Sequence, residues 1–198
     1  PETAARALHK AVALGADRSV HLTDAGLAGS DVCATGYALA KVLESESPDL
    51  VLLGQQSDDG ECYTIGAVVA DHLKMPSLTQ VIKIDVEGGK LRCERQAEYG
   101  YDTVDVELPA VISVGDAINE PRYPSLKAIM GAKKKPLDTK ATGDVGIEAD
   151  RVGEQGSRTE VLAVNPPAQK ETGEIIEDED TNETVEKIVA WLDERKLI

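Results

Sequence analysis

Asp49-Leu50-Val51-Leu52-Leu53-Gly54 is a continuous apolar run closed by a glycine. A strand facing water on one side would alternate, so an unbroken run of this length predicts a strand covered on both faces of a parallel sheet. On either side the apolar spacing becomes helical. Upstream, Tyr37, Ala38, Val42 and Leu43 recur on one side of a segment that Ser30 or Asp31 can cap and that Ser47-Pro48 stops. Downstream, Ile65, Val69 and Leu73 stand at i, i+4 and i+8, and Met75-Pro76 ends the pattern. Nearer the start, Ala5, Leu8 and Val12 predict a helix over 2–14 ended by Gly15, and Ser19 to Leu22 a short strand. Helix, strand, helix, strand, helix with crossovers reads as α/β.

From residue 78 the period shortens. Gln80 to Asp85, Leu91 to Ala97, Thr103 to Leu108 and Ala110 to Val114 are short runs separated by Gly88-Gly89, Gly100 and Pro109, which predicts an antiparallel extension of the sheet. Residues 119–136 are turn-rich and then basic. Residues 137–180 are polar, with one expected strand at Thr159 to Val164 and no core of their own. Thr181 can then cap a helix whose Val185, Ile188, Val189 and Leu192 share a face, with Trp191 at its edge. The expected organisation is an α/β domain over 1–136 and, over 137–198, an arm that packs on something else.

The charge narrows the partners. With 36 acidic residues against 21 Lys+Arg, the chain carries −15, while 41% hydrophobic residues suffice for a core. Such a surface repels phosphate backbones and anionic lipid, and suits high salt, where self-repulsion is screened. No nucleic-acid binding and no membrane insertion are expected, since no apolar window of about 18 residues occurs. Neither a basic leader nor a signal-like apolar core opens the chain, so a cytoplasmic location is the expectation. Cys33, Cys62 and Cys93 lack the spacing of a metal or dithiol site and read as reduced thiols.

Two segments carry candidate chemistry. The first is Gly54, Gln55, Gln56, Ser57, Asp58, Asp59, Gly60, Glu61, Cys62, Tyr63, Thr64 and Ile65, between the buried strand and the next helix. Ligands of open α/β sheets bind beyond the carboxyl ends of the strands. The two glycines permit close backbone approach, and the free N–H groups of the helix start, with the hydroxyls of Ser57 and Thr64, suit a phosphate, leaving acidic side chains for ribose hydroxyls. A solvated turn is the competing reading, because neither a P-loop nor GxGxxG is present. The second segment is Tyr123, Pro124, Ser125, Leu126, Ile129 and Met130, followed by Lys133, Lys134 and Lys135. It reads either as a recognition element, with apolar knobs beside steering charges, or as an ordinary helix with a solvated lysine run. His9, His21 and His72 stand apart from any acid–nucleophile pattern, so neither a catalytic constellation nor a metal site is expected and the chain reads as a binder or carrier.

Leu108-Pro109-Ala110-Val111-Ile112-Ser113-Val114, then Asn119-Glu120-Pro121-Arg122-Tyr123-Pro124-Ser125-Leu126 and Ala132-Lys133-Lys134-Lys135, closely resembles the signature region of electron transfer flavoprotein β subunits. Leu14 to Arg18, Pro48 to Gly54, Gln56 to Gly66 and Met75-Pro76 follow the same pattern in order. The chain departs from it at Gly115-Asp116-Ala117-Ile118 and at Glu98-Tyr99-Gly100. The resemblance implies a Rossmann-like three-layer α/β/α fold of the adenine-nucleotide-binding type. It also implies a heterodimer with an α subunit that holds most of the redox FAD, and transfer of electrons from a flavin dehydrogenase, such as an acyl-CoA dehydrogenase, to a quinone oxidoreductase. By the same resemblance, Gly54 to Ile65 is the loop for AMP or, in electron-bifurcating members, a second FAD, and Tyr123 to Gly131 is the dehydrogenase recognition loop with Leu126 as anchor. Residues 1–136 then form the nucleotide-binding domain, and the arm packs on the α subunit. The alternative from another class is an adenine-nucleotide sensor of the stress-protein type, which needs the first segment alone.

Overall fold

The computed structural model describes residues 2–169, 173, 175 and 180–198. Helices α1 (Ala5–Leu14), α2 (Val32–Glu46) and α3 (Ile65–Leu73) alternate with strands β1 (Val20–Leu22) and β2 (Leu50–Gly54). Strands β3 (Ser77–Glu87), β4 (Lys90–Ala97), β5 (Gly100–Glu107) and β6 (Ala110–Val114) follow, then α4 (Leu126–Ala132), β7 (Asp138–Lys140), α5 (Gly153–Gly156) and α6 (Thr181–Glu194). The main sheet has the order β2-β6-β3-β4-β5, and β1 pairs with β7 in a separate parallel ribbon. The fold is mixed α/β with helices flanking a mixed sheet.

Two expectations exchange places. β6, read as part of the antiparallel extension, runs parallel to both β2 and β3; only the β3–β4 and β4–β5 pairs are antiparallel. Ala110, Val111 and Ile112 are completely buried, so β6 is the strand covered on both faces. β2, read as that strand, lies at the sheet's edge, and Leu52 is 57% exposed. An apolar run of four residues says nothing of which strand lies between two neighbours.

One face of β2 and β6 packs on helices. Val51 and Val111 meet Val69 and Ala70 of α3, with Leu43 of α2 and Leu53 beside them. The other cluster, Leu78, Val81, Leu91, Cys93, Val106, Ala110 and Ile112, comes from β3 to β6. Burial in it raises the Cys93 thiol above its ordinary range. The helices close on the sheet through missing side chains. A Cβ on Gly36 of α2 would lie 2.4 Å from Val68 Cγ1 of α3, and one on Gly66 would lie 3.4 Å from Leu53 Cδ1. Ser47 in the left-handed region ends α2, and Lys74 in the same region ends α3.

The segment after residue 136 joins the first unit further than its polar composition predicts. The chain divides into compact units Pro1–Glu160 and Val161–Ile198, whereas the sequence places the division after 136. Ile147 and Val152 pack with Tyr37 and Ala38 of α2, and Arg151 stacks 3.7 Å over the Tyr37 ring. Polar side chains near the start of α2 complete the attachment. The Asp24 carboxylate accepts from Thr142 Oγ1 (2.6 Å) and Thr142 N (3.2 Å), and Ser30 Oγ from Gly153 N (2.7 Å). Asp31, which caps α2, also accepts from Arg158 N (2.7 Å) and from Thr159 N and Oγ1 (3.1 Å each). These bonds hold both carboxyls below their usual range, led by the Thr142 hydroxyl at Asp24 and by the Ala34 amide at Asp31. No strand forms at Thr159 to Val164, whose first residue, Thr159, spends its donors on Asp31. In the second unit Asp180, rather than Thr181, caps α6 through Asn182 N (2.9 Å). Val185, Ile188, Val189 and Trp191 are exposed and Leu192 half-buried. Parts of the expected arm, residues 170–172, 174 and 176–179, lie outside the described residues.

The α2–α3 approach yields the first prediction. Gly36→Ala forces the helices apart and should cost about 1–3 kcal/mol in chemical denaturation, and trimming the neighbour with Val68→Ala in the same chain should recover part of that loss. An unchanged midpoint for Gly36→Ala would show that the close approach carries no constraint.

Candidate functional site

Parallel pairing of β2 with β6 in register Gly54↔Val114 brings two loops to the same end of the sheet. From β2 the chain enters residues 55–64 and then α3; from β6 it enters Gly115 and a short 3-10 turn at Asp116–Ile118. The first of these loops is the predicted nucleotide segment, and the structure keeps its members together in one strand–loop–helix unit. Gln56 to Thr64 are exposed and Gln55 is half-buried. At Gly54 an added Cβ would meet nothing within 4 Å, so that backbone is open to approach. Glu61 and Tyr63 take positive φ values of 43° and 54°, two successive reversals that let a short loop return to α3.

The loop is organised by its own polar groups. Glu61 N donates to Ser57 O (3.0 Å), and the Cys62 thiol to Gly60 O (2.9 Å). The Ser57 hydroxyl, helped by loop amides, holds the Asp59 carboxyl below its ordinary range. Thr64, at the N-cap, makes no side-chain capping bond, which leaves the first amides of α3 without a protein acceptor from that side chain. Gly66 in the first turn lets α3 sit close to Leu53 and to the buried Ser113 of β6, which fixes the helix start against the strand ends. The resulting site is an exposed backbone edge with positive dipole at α3, acidic side chains around it, and no group poised for acid–base chemistry. Among the described residues no cluster of His, Cys, Asp or Glu could hold a metal ion.

Sequence reading alone did not single out Gly115. Its position is set by β6: a Cβ there would lie 3.7 Å from Gln55 Oε1, and its N–H donates to Val81 O (2.9 Å). The only sequence signal is a glycine directly after an apolar run, the same signal that marks Gly54.

The second segment lies elsewhere on the molecule. Ser125 caps α4 through Ala128 N (3.2 Å), and α4 packs on α1. Its residues divide by face. Tyr123 is 96% exposed, Leu126 82% and Met130 59%, while Pro124 and Ile129 are half-buried and Ala132 is buried. Leu126 and Met130, at i and i+4, form one outward stripe. The Arg122 guanidinium reaches the end of α1, where a Cβ on Gly15 would lie 3.5 Å from it; a cation there complements the helix dipole. The lysines also separate: Lys135 Nζ donates to Asp17 O (3.4 Å), whereas Lys133 lines a groove beside α1.

Known proteins match this arrangement. The model of the family described as Electron transfer flavoprotein domain covers residues 1–144. An electron transfer flavoprotein subunit beta of Mycobacterium bovis is 44% identical over 199 residues, spanning 100% of this chain and 74% of the relative. The subunit beta of Thermoanaerobacterium thermosaccharolyticum is 37% identical over 199 residues, 100% of this chain and 76% of its own. A Caffeyl-CoA reductase-Etf complex subunit CarD of Acetobacterium woodii is 34% identical with the same coverage. With a strand–loop–helix edge, no catalytic constellation in the described residues and an outward apolar stripe on α4, the matches agree with the architecture: the chain belongs to the electron transfer flavoprotein family, on the β-subunit side.

Proposed function

We propose that this β subunit works within a heterodimer as a carrier that receives electrons from a flavin dehydrogenase and passes them to a quinone oxidoreductase. The observation that carries the reading is the pairing of two separate features in one chain: a polar strand–loop–helix at 54–65 and an exposed apolar stripe at Leu126 and Met130. A nucleotide sensor would use only the first. A carrier needs both a fixed cofactor environment and a surface for transient docking.

In this reading the loop binds the adenylate part of AMP or of a second FAD. The open backbone at Gly54 and the uncapped start of α3 suit a phosphate, and Asp58, Asp59 and Glu61 suit ribose hydroxyls. Flavin, when bound in the assembly, supplies the redox chemistry; this chain's residues position and shield. The exposed apolar residues of α6, Val185, Ile188 and Val189, serve the α-subunit interface.

Three measurements test these assignments. Gly60→Val brings a side chain onto Ser57 Oγ, which would lie 3.2 Å from the added Cβ, and Thr64→Val removes a hydroxyl worth about 0.5–1.5 kcal/mol per neutral hydrogen bond. Both should lower the adenine nucleotide retained by the purified heterodimer, measured by extraction and chromatography; full occupancy in both would place the site elsewhere. Ser57→Ala should raise the Asp59 pKa toward the ordinary carboxylate range. The sign follows from its depressed folded value: the stabilisation by ionised Asp59 is present above the unfolded pKa and is lost as pH falls through the folded one. Carboxyl NMR titration reads it directly, and an unmoved midpoint would remove Ser57 from the loop's organisation. Leu126→Ala should raise the dissociation rate from an acyl-CoA dehydrogenase, costing about 2 kcal/mol as a hot spot. Wild-type reduction kinetics at sub-saturating concentration would remove the anchor.

A further inference from the structure

A groove of about 550 Å³ runs between α1 and α4 on the inner side of the proposed docking helix. Its floor is apolar, with Pro124 and Ile129 half-buried in it, and its walls are basic: Arg6, His9 and Lys10 from α1 and Lys133 from the end of α4. This is unusual in a chain of charge −15. On the β3–β5 surface the cations are matched: Lys83 pairs with Glu94, Lys90 with Glu107, Arg92 with Asp105 and Arg95 with Asp102. Among the described residues, Arg6, Lys10 and Lys133 make no ion pair and no side-chain hydrogen bond. Like charges gathered round one groove repel one another, and with acidic residues so abundant in the sequence the absence of a local partner leaves a surface complementary to an external anion.

We infer that this groove receives an acidic, amphipathic segment of the redox-partner protein that Leu126 anchors. The inference rests on the docking reading of α4 and adds to it a second contact of defined chemistry: carboxylates facing Arg6, Lys10 and Lys133, and an apolar side chain on the floor formed by Pro124 and Ile129. A protein segment fits better than a small anion for a geometric reason. The same seven-residue helix presents Leu126 and Met130 on its outer face and Ile129 on its inner one, so a partner gripping the outer stripe passes the groove. Leu126 then governs how long the complex lasts, and the basic groove governs how fast and in which orientation it forms.

The test uses the reconstituted heterodimer with an acyl-CoA dehydrogenase as reductant, followed by stopped flow at about 0.01 M and about 1 M salt, where the Debye length falls from about 30 to about 3 Å. R6Q/K10Q/K133Q should slow second-order reduction about tenfold at low salt and match wild type at high salt, whereas the Leu126→Ala defect persists at both. The charge-preserving R6K/K10R/K133R should react as wild type, which separates charge from folding. K74Q/K83Q/K90Q makes the same change in net charge elsewhere and should have little effect. In carbodiimide coupling, amide bonds to partner carboxylates should form at Lys10 or Lys133 Nζ, the carbodiimide taking up the released water. Wild-type rates for R6Q/K10Q/K133Q with a defective Leu126→Ala would overturn the groove and leave the docking reading standing. Wild-type rates for both would overturn both. An equal loss in K74Q/K83Q/K90Q, or cross-links confined to other lysines, would also overturn the groove assignment.

Discussion

The structure depends on the double parallel pairing of β6. Flanked by β2 on one side and β3 on the other, it is the strand whose Ala110, Val111 and Ile112 lose all contact with water. Side chains of β6 enter two separate apolar clusters, Val111 against α3 and Ile112 among the strands of the extension. The same pairing aligns Gly54 with Val114 and so decides that the loops after β2 and β6 open at one end of the sheet. Displacing β6 would therefore disturb both clusters and the candidate nucleotide edge together.

From that strand outward, fit is achieved by absence of side chains. Gly36 and Gly66 let α3 lie close to α2 and to the sheet, which places the start of α3 at the strand ends. Position, rather than a reactive side chain, is what such a site offers. The polar segment 138–159 adds a different kind of attachment. Asp24, Ser30 and Asp31 take its amides and hydroxyls, so a stretch poor in apolar residues still joins the first unit. Ion pairs on the β3–β5 surface are exposed and contribute little individually to stability, but they neutralise cations there. That makes the unmatched basic groove beside α4 conspicuous.

Helices α1 to α3 and α6, the strand–loop–helix at 50–73 and the α4 segment were legible in sequence because each is defined locally. Spacing of Ile65, Val69 and Leu73, a cap at Ser30 or Asp31, and stops at Ser47-Pro48 and Met75-Pro76 act within one or two turns of chain. The NEPRY stretch and the lysines after it were enough to indicate the family, since their order is unusual and their residues are contiguous. The exposed setting of Leu126 was also foreshadowed, because prolines at 121 and 124 leave only a short helix with little to bury it.

By itself, then, the sequence determined helices α1 to α3 and α6 and the strands of the main sheet, the family resemblance, the acidic balance and the two candidate segments. Only the tertiary structure decided which apolar strand lies at the centre, how far past residue 136 the first unit extends, and which face of α4 looks outward. It also decided that Gly115 stands beside Gln55 and that Arg6, His9, Lys10 and Lys133 share one groove. The reason is physical: periodicity and capping act between neighbours in the chain, whereas strand order, helix approach and charge clustering join residues tens to more than a hundred positions apart. Apolar runs at 50–53 and 110–112 look alike locally, and pairing with β3 buries one while its lack leaves Leu52 at the edge.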